Sequence, residues 1–287
     1  MDAPAIELIN LHHKYGNAVA LDNLNLTFNE NKIYGLLGRN GAGKSTLINI
    51  LIAGFKPTSG KALIFGETPF EHAAPLSKLC VVREKGMFPP HIRISQVLKA
   101  CADLYPNWDK AYAQQLLQKF YLNPRKQFKQ LSRGMESSLG LIVGLASRAP
   151  LTVFDEPSLG LDSVAREHFY QELVRDVDEH PRTVVVSTHM IDEAARCFSD
   201  VVIIDKGKVL LESSVKYLQK YAVTVSGKEE AVKAALGGRE ILFEQRLSSM
   251  YAAGVRVQED DDFTGLEVEP LSLQQLFVYL TEGGAVQ

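Results

Sequence analysis

An α/β fold, in which buried strands carry polar groups at their carboxyl ends, is predicted by three observations on these 287 residues. The stretch GRNGAGKST, Gly38 to Thr46, matches G-x-x-x-x-G-K-[ST]. It lies between an apolar strand-type run, Ile33-Tyr34-Gly35-Leu36-Leu37, and a helical run, Leu47 to Leu51, that Gly54 and Pro57 stop. Two more apolar runs, Leu151 to Glu156 and Thr183 to Ser187, read as strands buried on both faces. Segments of helical period separate them, the alternation expected of a parallel sheet covered by helices.

Residues 5–28 read as two alternating strands, Ala5 to Leu11 and Leu24 to Phe28, around the turn-rich segment HHKYGNAVALDN. Tyr15 lies in that segment. An aromatic ring upstream of the glycine loop suits stacking on a base, and a core position explains it equally. His12 and His13 read as surface or packing residues. In the loop, Gly38, Gly41 and Gly43 let backbone N–H groups turn inward around an anion, with Asn40 among them, and the next helix aims its positive end there. Lys44 would reach the β and γ phosphates, Ser45 would offer its hydroxyl to Mg²⁺, and Thr46 adds a second hydroxyl.

A strand is expected from Gly60 to Phe65, and another in LCVVRE, Leu79 to Glu84. Glu84 ends that run, where its carboxylate would face either a nucleotide-bound metal or solvent. Residues 92–122 read as helical with a break at Pro106, since Ile94, Val97, Leu98, Cys101 and Leu104 recur at helical spacing. Tyr105, Trp108, Tyr112, Phe120 and Tyr121 read as packing residues of this insert. Leu131-Ser132-Arg133-Gly134-Met135 then precedes an apolar helix, Glu136 to Ala146. Ser132 and Gly134 fall where its first N–H groups lack partners, so the site is a second anion receptor or simply an N-cap.

The run Leu151 to Phe154 ends in Asp155 and Glu156, and adjacent acids at the end of an apolar strand are costly unless a cation or a proton compensates them. Beside a phosphate loop that cation is Mg²⁺, held with Asp155. Glu156 beyond it can orient or deprotonate a water, a role worth roughly 10² to 10⁴ in rate. SLGLD, Ser158 to Asp162, is a tight turn before a helix. Thr183 to Ser187 ends in Thr188 and His189, where His189 would bond a γ-phosphate or serve structure. A hairpin follows, Val201 to Asp205 and Lys208 to Leu211, around Lys206-Gly207. From about residue 218 the pattern becomes a small α+β appendage: strand Ala222 to Val225, helix Glu229 to Leu236, strands Ile241 to Gln245 and Gly254 to Gln258, the acidic turn Glu259 to Asp262 and helix Leu273 to Leu280.

Composition narrows the function classes. With 31 basic and 34 acidic residues the chain has no electrostatic footprint for bulk nucleic-acid binding. Cys80, Cys101 and Cys197 have neither disulfide-framework nor zinc spacing and read as buried residues of a reducing compartment. No leader-like start or bilayer-length apolar run is present, so a membrane role is expected to come through another chain.

Taken in order, Tyr15, the P-loop, the helical insert, LSRGM, the strand ending in Asp155-Glu156, SLGLD and the strand ending in STH resemble the ATP-binding cassette of ABC transporters over about residues 5–215. The resemblance implies a P-loop NTPase core with an antiparallel β-subdomain and a helical insert, residues 1–217 with the insert at about 88–148, and an accessory domain at 218–287. It implies ATP and Mg²⁺, hydrolysis to ADP and phosphate, and catalytic Glu156, His189 and Lys44. Tyr15 becomes the adenine platform, Ser132 and Gly134 the signature, Asp162 part of the D-loop, and Ser45, Asp155 and Glu84 the metal neighbours. The implied assembly is a head-to-tail homodimer or heterodimer of cassettes sharing each ATP, peripheral on the cytoplasmic face of a membrane through a permease subunit, and resembling bacterial drug or peptide exporters. Arg133 and Met135 depart from the usual LSGGQ, and Glu84 from the usual glutamine. The alternatives are a soluble ABC ATPase acting on ribosomes or DNA and an ATP-binding regulatory module.

Overall fold

The structure, a computed structural model, describes residues 4–70, 72–83, 87–247, 250–258 and 261–282. Strands β1 (Ile6–Tyr15) and β2 (Ala18–Phe28) form an antiparallel hairpin. The segment HHKYGNAVALDN is therefore almost wholly strand, contrary to the loop expected from its turn residues. Gly16 and Asn17 make the turn, and register shifts between Leu8 and Lys14, with Asn23 at positive φ, bend the pair without ending it. Next come β3 (Ile33–Leu37), α1 (Lys44–Leu51) and β4 (Ser59–Ile64), and β4 pairs with β1 to complete a three-stranded sheet in the order β2-β1-β4.

Beyond it lie α2 (Ala73–Ser77), β5 (Leu79–Val82), α3 (Ile94–Leu104), α4 (Lys110–Lys119), α5 (Arg133–Ser147), β6 (Leu151–Asp155), α6 (Ser163–Glu179), β7 (Thr183–Thr188), α7 (Ile191–Ala194), β8 (Asp200–Asp205) and β9 (Lys208–Ser214). The central sheet runs β5-β6-β7-β3-β8-β9. Every pair in it is parallel except β8 with β9, the predicted hairpin. All of β3 and β7 and the first four residues of β6 are buried, which explains their unbroken apolar runs. In parallel register Asp155 lies opposite Ser187, and Leu37 opposite Thr188, so the three strand ends reach one edge together. The α/β fold of the sequence reading is the one observed.

The helical insert packs Val97, Leu98, Tyr112, Leu116 and Leu117 into the same buried cluster as Leu139, Ile142 and Phe154. Charge pins it as well: Glu172 of α6 takes Lys119 Nζ at 2.5 Å and the Tyr112 hydroxyl at 3.1 Å, and pairs with Arg175. Tyr105, Trp108, Tyr112 and Phe120 pack as expected, whereas Tyr121 is 89% exposed. The three cysteines are free and buried. Among the described residues no helix is long and apolar enough to cross a membrane.

The remaining chain forms α8 (Val215–Tyr221), β10 (Ala222–Gly227), α9 (Glu229–Leu236), β11 (Phe243–Leu247), β12 (Met250–Arg256), β13 (Glu267–Pro270) and α10 (Leu273–Thr281). Its antiparallel sheet is ordered β11-β12-β10-β13, with a small core of Val225, Val232, Leu236, Tyr251, Ala253 and Val255. The expected strands at 241–245 and 254–258 are displaced to β11 and β12, and α2, α8 and β13 were not foreseen. β13, EVEP, is exposed along its whole length, so it carries no buried alternation to detect. Glu259 and Asp260 of the acidic turn lie outside the described residues.

Candidate functional site

The loop between β3 and α1 is shaped by two close approaches. A Cβ on Gly38 would lie 2.6 Å from the Ile204 carbonyl, and one on Gly43, at φ +111, would lie 2.7 Å from the Ala20 carbonyl. Only glycine lets the loop nestle against β8 and β2 in this way. Lys44 begins α1 and is buried, its ammonium donating to the carbonyls of Gly38 at 2.5 Å and Arg39 at 3.4 Å. Burial pushes the Lys44 amine down, and the charges of Glu156 and Asp155 oppose that shift.

Asp155 ends β6 and accepts from the Ser187 hydroxyl at 3.0 Å. Burial pushes its carboxyl up. Glu156 adds to the rise, while the Ser187 hydrogen bond, Lys44 and Arg83 pull against it. Glu156 adopts φ +51, an uncommon conformation for a non-glycine residue, with its N–H donating to the Ser187 carbonyl at 2.8 Å. The turn of the chain there leaves Glu156 Oε2 2.9 Å from His189 Nδ1. A cleft of about 420 Å³ is lined by Asn40, Gly41, Gly43, Lys44, Ser45 and Thr46 on one side, and by Asp155, Glu156 and His189 on the other. Arg39, Ala20, Ala42, Leu159 and Arg133 complete the wall.

These surroundings fit a nucleotide phosphate chain with Mg²⁺. The glycine cradle leaves room for anionic oxygens, Lys44 supplies the cation, and the Ser45 hydroxyl with the Asp155 carboxylate is a hard-oxygen pair of the kind Mg²⁺ takes. Holding Asp155 ionised without a cation costs stability. The folded state favours its protonated form, so that benefit is full below the ordinary value of 3.8 and is lost as pH rises through the raised one. Asp155→Asn, free of nucleotide and metal, is therefore expected to melt higher than the unmodified chain at neutral pH. The gap should close as pH falls toward 3.8, as thermal denaturation across that range would record.

A second cleft, about 510 Å³, holds the other predicted group. Ser132 caps α5 by accepting from Met135 N–H at 3.3 Å, and Gly134 lies so close to the Gly160 carbonyl that a Cβ there would stand 2.6 Å from it. Asp162 caps α6, accepting from Ala165 N–H at 2.8 Å, and lines this cleft beside Ser132 and Gly134. Tyr15 is not among the residues lining either cleft. It is half exposed, and its ring packs edge-on against His13 and Phe55. Glu84 lies outside the described residues. Sequence reasoning missed Ser187 as the donor to Asp155, although both residues end neighbouring strands. It also missed Arg133 as part of the P-loop cleft.

Comparison with known proteins agrees with this geometry. A family model described as ABC transporter matches residues 21–159. The bacitracin transport ATP-binding protein BcrA of Bacillus licheniformis is 31% identical over 218 residues, 75% of this chain and 71% of that protein. The ABC transporter ATP-binding protein YtrB of Bacillus subtilis is 28% identical over 191 residues, 67% of this chain and 65% of its own length. A solved dimeric bacterial ABC transporter cassette superposes with a TM-score of 0.64 at 25% identity, covering 73% of this chain and 98% of that one. With the strand–loop–helix cradle, the paired carboxylates and this likeness together, the chain belongs to the ATP-binding subunits of the ABC transporter family.

Proposed function

We propose that the chain binds and hydrolyses Mg-ATP and that this work drives transport, in the direction of export, through a separate membrane-spanning partner. The observation that carries the reading is the convergence of Lys44, Ser45, Asp155, Glu156 and His189 on one cleft. ATP would lie with its phosphates in the glycine cradle and its β and γ oxygens toward Lys44. Ser45 and Asp155 would hold Mg²⁺, which when bound neutralises charge on those oxygens. Glu156 accepts the proton of a water whose oxygen bonds the γ-phosphorus. The bond to the β–γ bridging oxygen breaks, and ADP leaves with that electron pair. His189, bonded to Glu156, holds the carboxylate in place. Tyr15, on the hairpin that also supplies Ala20, offers its exposed ring to the adenine.

Ser132 and Gly134, in a cleft beside Asp162, suit the γ-phosphate of an ATP carried by a second cassette, either another copy or a paralogue. Head-to-tail pairing would use both clefts twice, and contacts to the γ-phosphate would be lost after hydrolysis. Solved relatives include a dimeric cassette, and curated relatives include proteins named for bacitracin transport and Nod factor export, which favours export through a membrane partner. The tail at 218–287 is read as an accessory domain. The test joins chemistry to location. Phosphate release should depend on Mg²⁺, and the chain should sediment with membranes only when its polytopic partner is co-expressed. Mg-dependent release with no such fractionation would favour a soluble ATPase.

A further inference from the structure

Among the described residues, Arg133 alone lines both clefts. It follows the capping Ser132 at the start of α5, in the position where the family pattern most often has glycine. Its stem crosses Gly160: a Cβ built on that glycine, at φ +82, would meet Arg133 Cγ at 2.9 Å and Cδ at 3.3 Å. The bare backbone at Gly160 is thus the gap over which the side chain passes between the signature cleft and the P-loop cleft. There Arg133 shares a wall with Lys44, Ser45, Glu156 and His189 of its own protomer.

That wall carries two carboxylates and three cationic side chains, Arg39, Lys44 and Arg133, before any phosphate enters. Asp155 and Glu156 both face the space an incoming polyphosphate must enter, and the ammonium of Lys44 already donates to two loop carbonyls. A guanidinium is permanently charged and presents a planar fork that matches two phosphate oxygens. We propose that Arg133 binds the terminal phosphate of the nucleoside triphosphate held in its own P-loop, a contact in cis made possible by glycine at 160. The assignment rests on the reading of that cleft as an ATP site. It adds a property that reading lacks, discrimination of triphosphate from diphosphate by a single protomer.

The test is isothermal titration of the full chain with Mg-ATPγS and with Mg-ADP, at concentrations where light scattering shows a monomer. Arg133→Ala is expected to weaken ATPγS about tenfold, the scale of one charge-assisted contact, and to shift ADP by less than about twofold. Arg133→Lys should recover part of the loss. Equal ATPγS affinities for the variant and the unmodified chain, or an equal loss for both nucleotides, would overturn the proposal while leaving the ATP site intact. Failure of the unmodified chain to bind either nucleotide would overturn the underlying reading and this proposal with it.

Mixed assemblies supply a second readout. In a pair of one Lys44→Ala protomer and one Arg133→Ala protomer, the intact P-loop has lost its own Arg133 but faces a signature that retains one. With one working P-loop in place of two, contact in cis predicts about half the hydrolysis of the Arg133→Ala homodimer. Recovery to half the unmodified rate would assign Arg133 to the partner's nucleotide and overturn the proposal.

Discussion

Glu156→Gln is expected to keep the affinity for Mg-ATP, lower phosphate release by on the order of 10² to 10⁴, and accumulate an ATP-dependent dimer. The substitution changes little besides basicity. The backbone at Glu156 is held by its N–H bond to the Ser187 carbonyl, 2.8 Å, so the turn that presents the side chain does not depend on the carboxylate. A carboxamide has the same shape and can still face His189 Nδ1, now 2.9 Å from Oε2. It cannot accept a proton from water. It also removes one of two negative charges from the cleft proposed to receive the phosphates, so binding should not weaken. Phosphate release, nucleotide titration and size-exclusion chromatography with light scattering, with and without Mg-ATP, check the three parts. Turnover within about threefold of the unmodified chain would remove Glu156 from the base role, since a general base contributes far more. Binding without dimerisation would show that a signature carrying Arg133 and Met135 does not clamp unaided.

The chemistry of this chain was more legible than its packing. GRNGAGKST, the acid pair and STH announce themselves because each puts polar groups at the end of an apolar strand, and such exceptions to burial stand out in a sequence. Parallel register then brings Leu37, Asp155 and Thr188 to one edge of the sheet, a juxtaposition that separate motifs only imply. The Ser187–Asp155 hydrogen bond and the path of Arg133 across Gly160 were not legible. Both depend on distances between segments far apart in sequence. The segment at 12–23 misled for a different reason, since the strands expected on either side of it are simply longer, β1 to Tyr15 and β2 from Ala18. Gly16 and Asn17 make the turn, whereas Asn23, at positive φ, stays within a strand pair that Leu8, Leu11, Leu21 and Leu24 hold in the core.

Leu276→Ala is expected to cost about 2 to 5 kcal/mol of stability and to lower the thermal midpoint by on the order of 5 to 15 °C, a larger effect than a peripheral tail would suggest. The reason is where α10 is seated. Leu276 and Leu280 are each only 3% exposed, and they belong to the same buried cluster as Ile191, Ala194 and Phe198, while the tail's own small core is a separate cluster. α10 packs against α7, whose first residue follows His189 by two positions. Val232→Ala in the separate small core supplies the comparison, because it removes buried methyl groups from a cluster that includes no residue of α7. If α10 is a working part of the cassette core, Leu276→Ala should lower phosphate release as well as stability, and Val232→Ala should lower stability alone. Thermal denaturation and turnover measured on the two variants below their melting temperatures decide the matter. Equal turnover in both would confine α10 to covering the core, with no hold on the position of His189.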